Sequence, residues 1–204
     1  MTVTADDAAA FERCVAAGGL ALFPADTVYG LATDPESEAG FQRLYGLKRR
    51  QPDMPSAVMF FDVAAALGAL PELGERTRAA AERLLPGPLT LILPNPERRY
   101  PLACGPAPDR IGIRVPALGG ALEPLSAVSL PVLQSSANLH GAPDARRLGD
   151  VASEIRSGVD LELDGGDLPG TASTVVDLTT YERTGSHEVL REGGYPSEQL
   201  TEML

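Results

Sequence analysis

Two rhythms of apolar residues run along the chain. Short unbroken apolar blocks read as buried strands, and stretches with an apolar residue every three or four positions read as amphipathic helices. The helical spacing first covers Ala8 to Val15, behind Thr4, Asp6 and Asp7, any of which suits a cap, and it stops at Gly18-Gly19. It returns over Glu36 to Leu47, where Phe41, Leu44, Tyr45 and Lys48 fall on one face, and over Glu75 to Leu85, which ends at Pro86-Gly87-Pro88. Gly120 to Ala127 and Ala145 to Arg156 predict two more helices, and Ser197 opens a last helical turn. Strands are predicted at Leu20–Phe23, Ala57–Phe61, Leu89–Leu93, Arg110–Val115, Pro131–Gln134, Val159–Leu163, Ser173–Leu178 and Glu188–Arg191. Strands and helices alternate early and strands cluster late. This order predicts a single α/β domain over residues 1–204, on a mixed sheet rather than a doubly wound parallel one.

Composition narrows the picture. Apolar residues make up 44% and charged residues 22%, ordinary for a globular chain, and no shift in composition marks a second domain. Cys14 and Cys104 form no C-x-x-C pair, and with only His140 and His187 besides, a zinc site built from protein ligands is not expected. Acidic Asp6 and Asp7 stand where an export signal is basic and then apolar, and no apolar stretch is long enough to span a membrane. The expected setting is the reducing cytoplasm, away from membranes. A net charge of −11 repels long polyanions, so direct tight nucleic-acid binding is not expected.

The chemistry-bearing segments sit at the ends of predicted elements. No G-x-x-x-x-G-K-[ST], G-x-G-x-x-G or G-x-S-x-G motif occurs, so any bound phosphate is held by side chains rather than a glycine cradle. Lys48-Arg49-Arg50-Gln51-Pro52 follows a helix, and Pro52 biases the chain away from helical backbone, so Lys48 and Arg50 can converge on one anion. The same cations also suit a solvated helix C-terminus. In "QSSANLHG", Ser136 and Asn138 repeat the two-residue spacing just past a strand, as an oxyanion-binding corner or as a turn satisfying its own backbone. Arg114 in "IGIRVP" and Arg191 in "EVLREGG" each face solvent or a bound anion, since an unpaired cation in a strand is costly. The strand opening "LALFPADTVYGL" delivers Asp26, Thr27 and Tyr29 to a polar corner, either as a pocket wall or as a structural turn.

Taken in order, "FPADTVYGL", Lys48-x-Arg50, "PGPLTLIL", "IRVP", Ser136-x-Asn138, "STVVDL" and "VLREG" resemble the YrdC/TsaC-type threonylcarbamoyl-AMP synthases, in their single-domain form. The resemblance implies a twisted mixed sheet around a central cleft. It implies an enzyme that joins L-threonine, bicarbonate and ATP, with Mg²⁺, into threonylcarbamoyl-adenylate and pyrophosphate. That product serves the N6-threonylcarbamoyl modification of adenosine 37 in tRNA, with tRNA-modification proteins as possible partners. By position in the family's motifs, Lys48, Arg50, Ser136 and Asn138 form the catalytic polar centre. Thr90 and Arg191 join Lys48, Arg50 and Ser136 around ATP, and Thr27, Arg114 and Ser173 fall to threonine, with no metal ligand assigned to the protein. The chain departs from the family's pattern at Ala25, Gln51, Met54, Met59, Gln134 and His140, and several of these changes bear on the amino-acid pocket more than on the phosphates. Two alternatives remain beside the synthase: a paralogous ATP-dependent enzyme for another amine or carbamoyl substrate, and a non-catalytic RNA-binding module. The acidic balance speaks against the latter.

Overall fold

Apolar blocks too short for helices pair into a nine-stranded mixed sheet in the computed structural model, which describes residues 2–204. The strands are β1 (Ala21–Pro24), β2 (Tyr29–Thr33), β3 (Ala57–Met59), β4 (Leu89–Pro94), β5 (Arg110–Arg114), β6 (Val132–Ser136), β7 (Leu161–Glu162), β8 (Thr174–Asp177) and β9 (Glu188–Arg191). They lie in the order β7-β1-β2-β6-β3-β5-β4-β8-β9. The pairs β1/β7, β3/β5 and β4/β8 are parallel and the others antiparallel, as expected of a mixed sheet. The strands at the centre of this order are buried almost throughout, which explains their near-continuous apolar sequence.

The helices are α1 (Ala5–Ala16), α2 (Glu38–Lys48), α3 (Val63–Gly68), α4 (Glu75–Leu84), α5 (Pro101–Cys104), α6 (Ser153–Arg156), α7 (Tyr181–Thr184) and α8 (Ser197–Met203). Of the three candidate caps for α1, Thr4 is the one used: its hydroxyl accepts from the Asp7 amide while the Asp7 carboxylate accepts from the Thr4 amide. Phe11 of α1 stacks on Phe23 of β1 at 4.9 Å between ring centres and meets Phe61 edge-on at 5.8 Å. The α2 helix unwinds where Pro52 predicts, with Arg49 in left-handed backbone at φ 52°.

Four expectations are corrected. The segment Ala145 to Arg156 is not one helix: only Leu148–Asp150, as a 3-10 turn, and Ser153–Arg156 are helical. Its first carbonyls are taken from outside, Ala145 by the Tyr29 amide and Arg146 by the Leu168 amide, so they are withheld from an intrahelical ladder. Gly120–Ala127 is a 3-10 helix, with Pro124 inside it removing a donor. The strand expected over Val159–Leu163 shortens to two residues. A strand at Tyr29–Thr33 was not expected, because Gly30 and Ala32 blunt its apolar pattern; it forms a hairpin with β1 and lies between β1 and β6. Tyr29 is fully buried there, its hydroxyl accepting from the Gly165 amide and donating toward Asp164 and the Gly166 carbonyl. Burial pushes its pKa up to about 12, so it stays a neutral donor.

Helix α2 approaches β2 so closely that a Cβ on Gly40 would lie 2.1 Å from Thr33 Oγ1. Thr33 Oγ1 is itself buried with no hydrogen-bond partner among the described residues. Gly40→Ala is therefore expected to lose about 1–3 kcal/mol in urea unfolding, against its better helix propensity, and adding Thr33→Ala is expected to recover most of that loss.

Candidate functional site

One cavity of about 280 Å³ opens on the face of the sheet that carries Gln134, Ala57, Gly112 and Ile92. These four residues stand in a single row across four strands, because β6, β3, β5 and β4 pair Gln134 with Ala57, Ala57 with Gly112, and Gly112 with Ile92. Small residues at the row's centre leave a hollow, and polar groups close around it: Thr90, Arg114 and Ser136 two positions along the same strands, Ser173 just before β8, Arg191 of β9, and Arg50 from the loop after α2. None of the described lining residues is Asp or Glu, although the chain carries a net charge of −11. A wider depression of about 560 Å³ lies beside α1 and β7; of its charges, Arg43 and Asp160 are spent on each other through two hydrogen bonds of 2.7 and 3.0 Å, which leaves Arg13. The smaller cavity gathers three guanidiniums.

Its cations differ in what holds them. Arg114 is buried and bonds Asp26 Oδ1 at 2.5 Å as well as the Thr27 hydroxyl, while Asp26 Oδ2 accepts from the Ala117 amide at 3.0 Å. The anion expected near Arg114 is thus the protein's own carboxylate, which keeps a buried cation from being left uncompensated. Arg114 Nε is buried without a partner. Arg50 lies over the Tyr45 ring at 5.5 Å, donates to the Pro55 carbonyl at 2.5 Å and reaches the Ser135 hydroxyl at 3.4 Å, again with Nε buried and unpartnered. Arg191 grips the Ser173 carbonyl at 2.8 Å, and Ser173 Oγ shares a 2.8 Å hydrogen bond with Thr90 Oγ1. A bulge opposite Val175 and Val176 leaves Leu190 without a partner and turns Arg191 onto Ser173. Partial desolvation lowers the Arg191 pKa; Asp144 opposes this, and the nearby charges of Arg114 and Arg50 add to it. Three guanidiniums therefore sense one another across one hollow.

Lys48 stands behind the wall rather than in it. Its ammonium donates to the carbonyls of Ser136 and Asn138, the latter at 2.7 Å, and to Asn138 Oδ1 at 3.1 Å. All three of its donors are used. Asn138 Oδ1 also accepts from Ser136 Oγ at 2.6 Å, and Asn138 Nδ2 donates to the Ala142 carbonyl. Burial, reinforced by the charge of Arg50 and opposed by Asp144, pushes the Lys48 pKa down to about 8, which leaves it charged at neutral pH.

The residues singled out in the sequence thus divide. Arg50, Thr90, Arg114, Ser136, Ser173 and Arg191 line the cavity; Thr27, Lys48 and Asn138 do not. The convergence of Lys48 and Arg50 on one anion is corrected to a division of labour, in which Arg50 faces the hollow and Lys48 fastens the loop after β6. Thr27 is buried and reaches the cavity only through Arg114. Gln134 lines the hollow and was not assigned a role there, though its period-two spacing with Ser136 on one strand was a usable signal.

Known proteins resemble the chain in sequence and in fold. Residues 13–193 match the Sua5/YciO/YrdC family model, whose description is telomere recombination. The chain is 33% identical over 184 residues to the threonylcarbamoyl-AMP synthase of Chromohalobacter salexigens, covering 89% of this chain and 98% of that protein. It is 32% identical over 188 residues to the threonylcarbamoyl-AMP synthase of Pyrococcus abyssi, covering 92% of this chain but 54% of that one. The chain thus spans about half the length of that relative. The crystal structure of P. abyssi Sua5 complexed with L-threonine superposes with a TM-score of 0.85 at 29% identity, over 100% of this chain and 59% of the other. The motifs, the mixed sheet and the family-model match lead to one conclusion: this chain belongs to the Sua5/YciO/YrdC family.

Proposed function

We propose that the chain is an L-threonylcarbamoyl-AMP synthase, consuming L-threonine, bicarbonate and ATP and releasing pyrophosphate and water. The observation that carries this reading is a carboxylate-free hollow ringed by Arg50, Arg114 and Arg191 in a strongly acidic chain. In the proposed reaction the threonine amine forms an N–C bond to bicarbonate carbon with loss of water. A carbamate oxygen then attacks the α-phosphorus of ATP, and the bond to pyrophosphate breaks. Two anions must meet, so preorganised guanidiniums offset their repulsion and stabilise the leaving group. Arg50 and Arg191, at opposite sides of the hollow, suit the phosphates. Thr90, Ser136 and Ser173 supply hydroxyls along the path, and Lys48 holds Ser136 in place by gripping the backbone on both sides of Ala137.

Among the described residues no group of three or more His, Cys, Asp or Glu side chains is arranged to hold a metal. In this reading Mg²⁺ enters on the ATP phosphates as part of the substrate. No described helix is long and apolar enough to cross a membrane. A cytoplasmic setting and the tRNA N6-threonylcarbamoyl modification, with its partner proteins, belong to the same proposal. The first rests on the composition of the chain, and the others on its resemblance to the family. A second reading, the same adenylyl chemistry on another amine, is favoured by Gln134, a departure from the family's pattern that lines the cavity.

Purified protein given ATP, Mg²⁺ and bicarbonate, with each amino acid in turn, is expected to release pyrophosphate with threonine; release with another amine alone would select the second reading. Arg50→Ala and Arg191→Ala are each expected to lower that turnover by roughly 100-fold or more, as removal of one transition-state donor does, with unchanged circular dichroism. Lys48→Met is expected to act on the fold instead. It takes the ammonium from the carbonyls of Ser136 and Asn138 and leaves Asn138 Oδ1 with the Ser136 hydroxyl alone, so chemical denaturation should show a loss on the order of 2–4 kcal/mol.

A further inference from the structure

Two backbone bonds close α2: the Arg49 amide donates to the Gly46 carbonyl at 3.1 Å, and the Arg50 amide to the Tyr45 carbonyl at 3.0 Å. With Arg49 in left-handed backbone, this is a Schellman turn, which folds the residue after the turn back onto the helix. An apolar contact commonly fills that place. Here Arg50 lies on Tyr45 instead, its guanidinium carbon 5.5 Å from the ring centre. The ring is buried, and Phe41 packs against it at 4.2 Å, so the surface that meets Arg50 is fixed.

The hydroxyl of the same ring fastens the rest of the loop. It donates to the Met54 carbonyl at 2.6 Å; having one proton, it accepts from Ser56 Oγ at 2.7 Å. Burial pushes its pKa up, so it keeps that proton. The two bonds hold the chain on either side of Pro55, whose carbonyl accepts from Arg50 at 2.5 Å. Ring and hydroxyl thus act on one guanidinium, the first by direct contact and the second through the Pro55 carbonyl. Gln51, Pro52 and Asp53 are exposed, so this stretch is ordered by its anchored ends. With Ser135 at 3.4 Å, described residues take two of the five Arg50 donors, and Nε is buried without a partner among them.

We infer that Tyr45 is a positioning residue for the phosphates, presetting the Arg50 guanidinium in the orientation that an entering polyphosphate meets. This inference rests on the proposed adenylyl-transfer function, in which Arg50 suits the phosphates. A long side chain on a loop loses rotamer freedom when it binds, which lowers affinity; an orientation fixed beforehand removes that loss. The planar guanidinium makes the orientation matter, because its donors point in fixed directions.

The test is calorimetric titration of inorganic pyrophosphate, with Mg²⁺, into the wild type and Tyr45→Phe, and into Arg50→Lys with and without Tyr45→Phe. Tyr45→Phe keeps the ring and loses the hydroxyl. It is expected to weaken binding roughly 3- to 10-fold in the wild type, the size of one lost hydrogen bond. In Arg50→Lys, which keeps the charge without the planar fork, the same change is expected to cost less than about twofold. An equal loss in both backgrounds overturns the inference, as does a loss under about twofold in the wild type or no pyrophosphate binding there. If Arg50→Lys binds too weakly to titrate, Tyr181→Phe becomes the reference, since it gives up a buried hydroxyl's bond to the Leu204 carbonyl outside the cavity lining. Binding within about twofold of wild type in that variant supports the inference, and a loss matching that of Tyr45→Phe overturns it. Pyrophosphate release from ATP is scored separately: its absence with every amino acid removes the proposed function, while the binding series still judges Tyr45.

Discussion

A single buried ammonium ties together the two loops on which the cavity depends. Lys48 ends α2, and its three donors reach Ser136 and Asn138 on the far side of the sequence, while its own carbonyl accepts from the His140 amide at 2.9 Å. Removing the charge from water is costly, and the three acceptors compensate only when the β6 loop takes one particular path. That path leaves the Ser136 hydroxyl on the cavity surface and brings the start of the next loop beside Arg50. Position of the polar centre is therefore a consequence of satisfying one buried cation.

The second organising feature is electrostatic. A chain with 28 acidic and 17 basic side chains gathers three arginines around one hollow and keeps carboxylates off its described lining. Most acidic side chains lie elsewhere, several paired at the surface with arginines, as in Arg147–Asp167 and Arg156–Glu162. Such exposed pairs add little to stability. Asp26 is the instructive exception, since its carboxylate fixes the Arg114 guanidinium and offsets its charge, which leaves Arg50 and Arg191 as the hollow's other cations. A focused positive site in a negative protein suits a small, highly charged ligand and repels a long one.

Sheet order explains how few residues are needed. Strands adjacent in space are distant in sequence: β2 pairs with β6, and β4 with β8. Each contributes one or two polar side chains at a matching register. The loop between β7 and β8 is in turn pinned from below, where the Tyr29 hydroxyl binds Gly165 and Gly166 and the Thr27 carbonyl accepts from Gly170. Ser173 follows directly on that pinned segment, so its meeting with Thr90 and Arg191 is held from both sides.

The sequence by itself determined the local features. A cap among Thr4, Asp6 and Asp7, the unwinding at Arg49 before Pro52, the apolar strand blocks, and the ordered motifs from Pro24 to Arg191 all depend on interactions within a few residues, and they were legible one stretch at a time. It also singled out six of the polar groups that line the cavity, Arg50, Thr90, Arg114, Ser136, Ser173 and Arg191, through the order of its motifs. Tertiary structure alone decided the partners. Nothing local assigns Asp26 to Arg114, separates Lys48 from Arg50, melts the expected helix over Ala145–Arg156, or inserts Tyr29–Thr33 between β1 and β6. Those outcomes follow from backbone and side-chain groups distant in the sequence competing for the same hydrogen bonds, and that competition is resolved only when the strands are laid side by side.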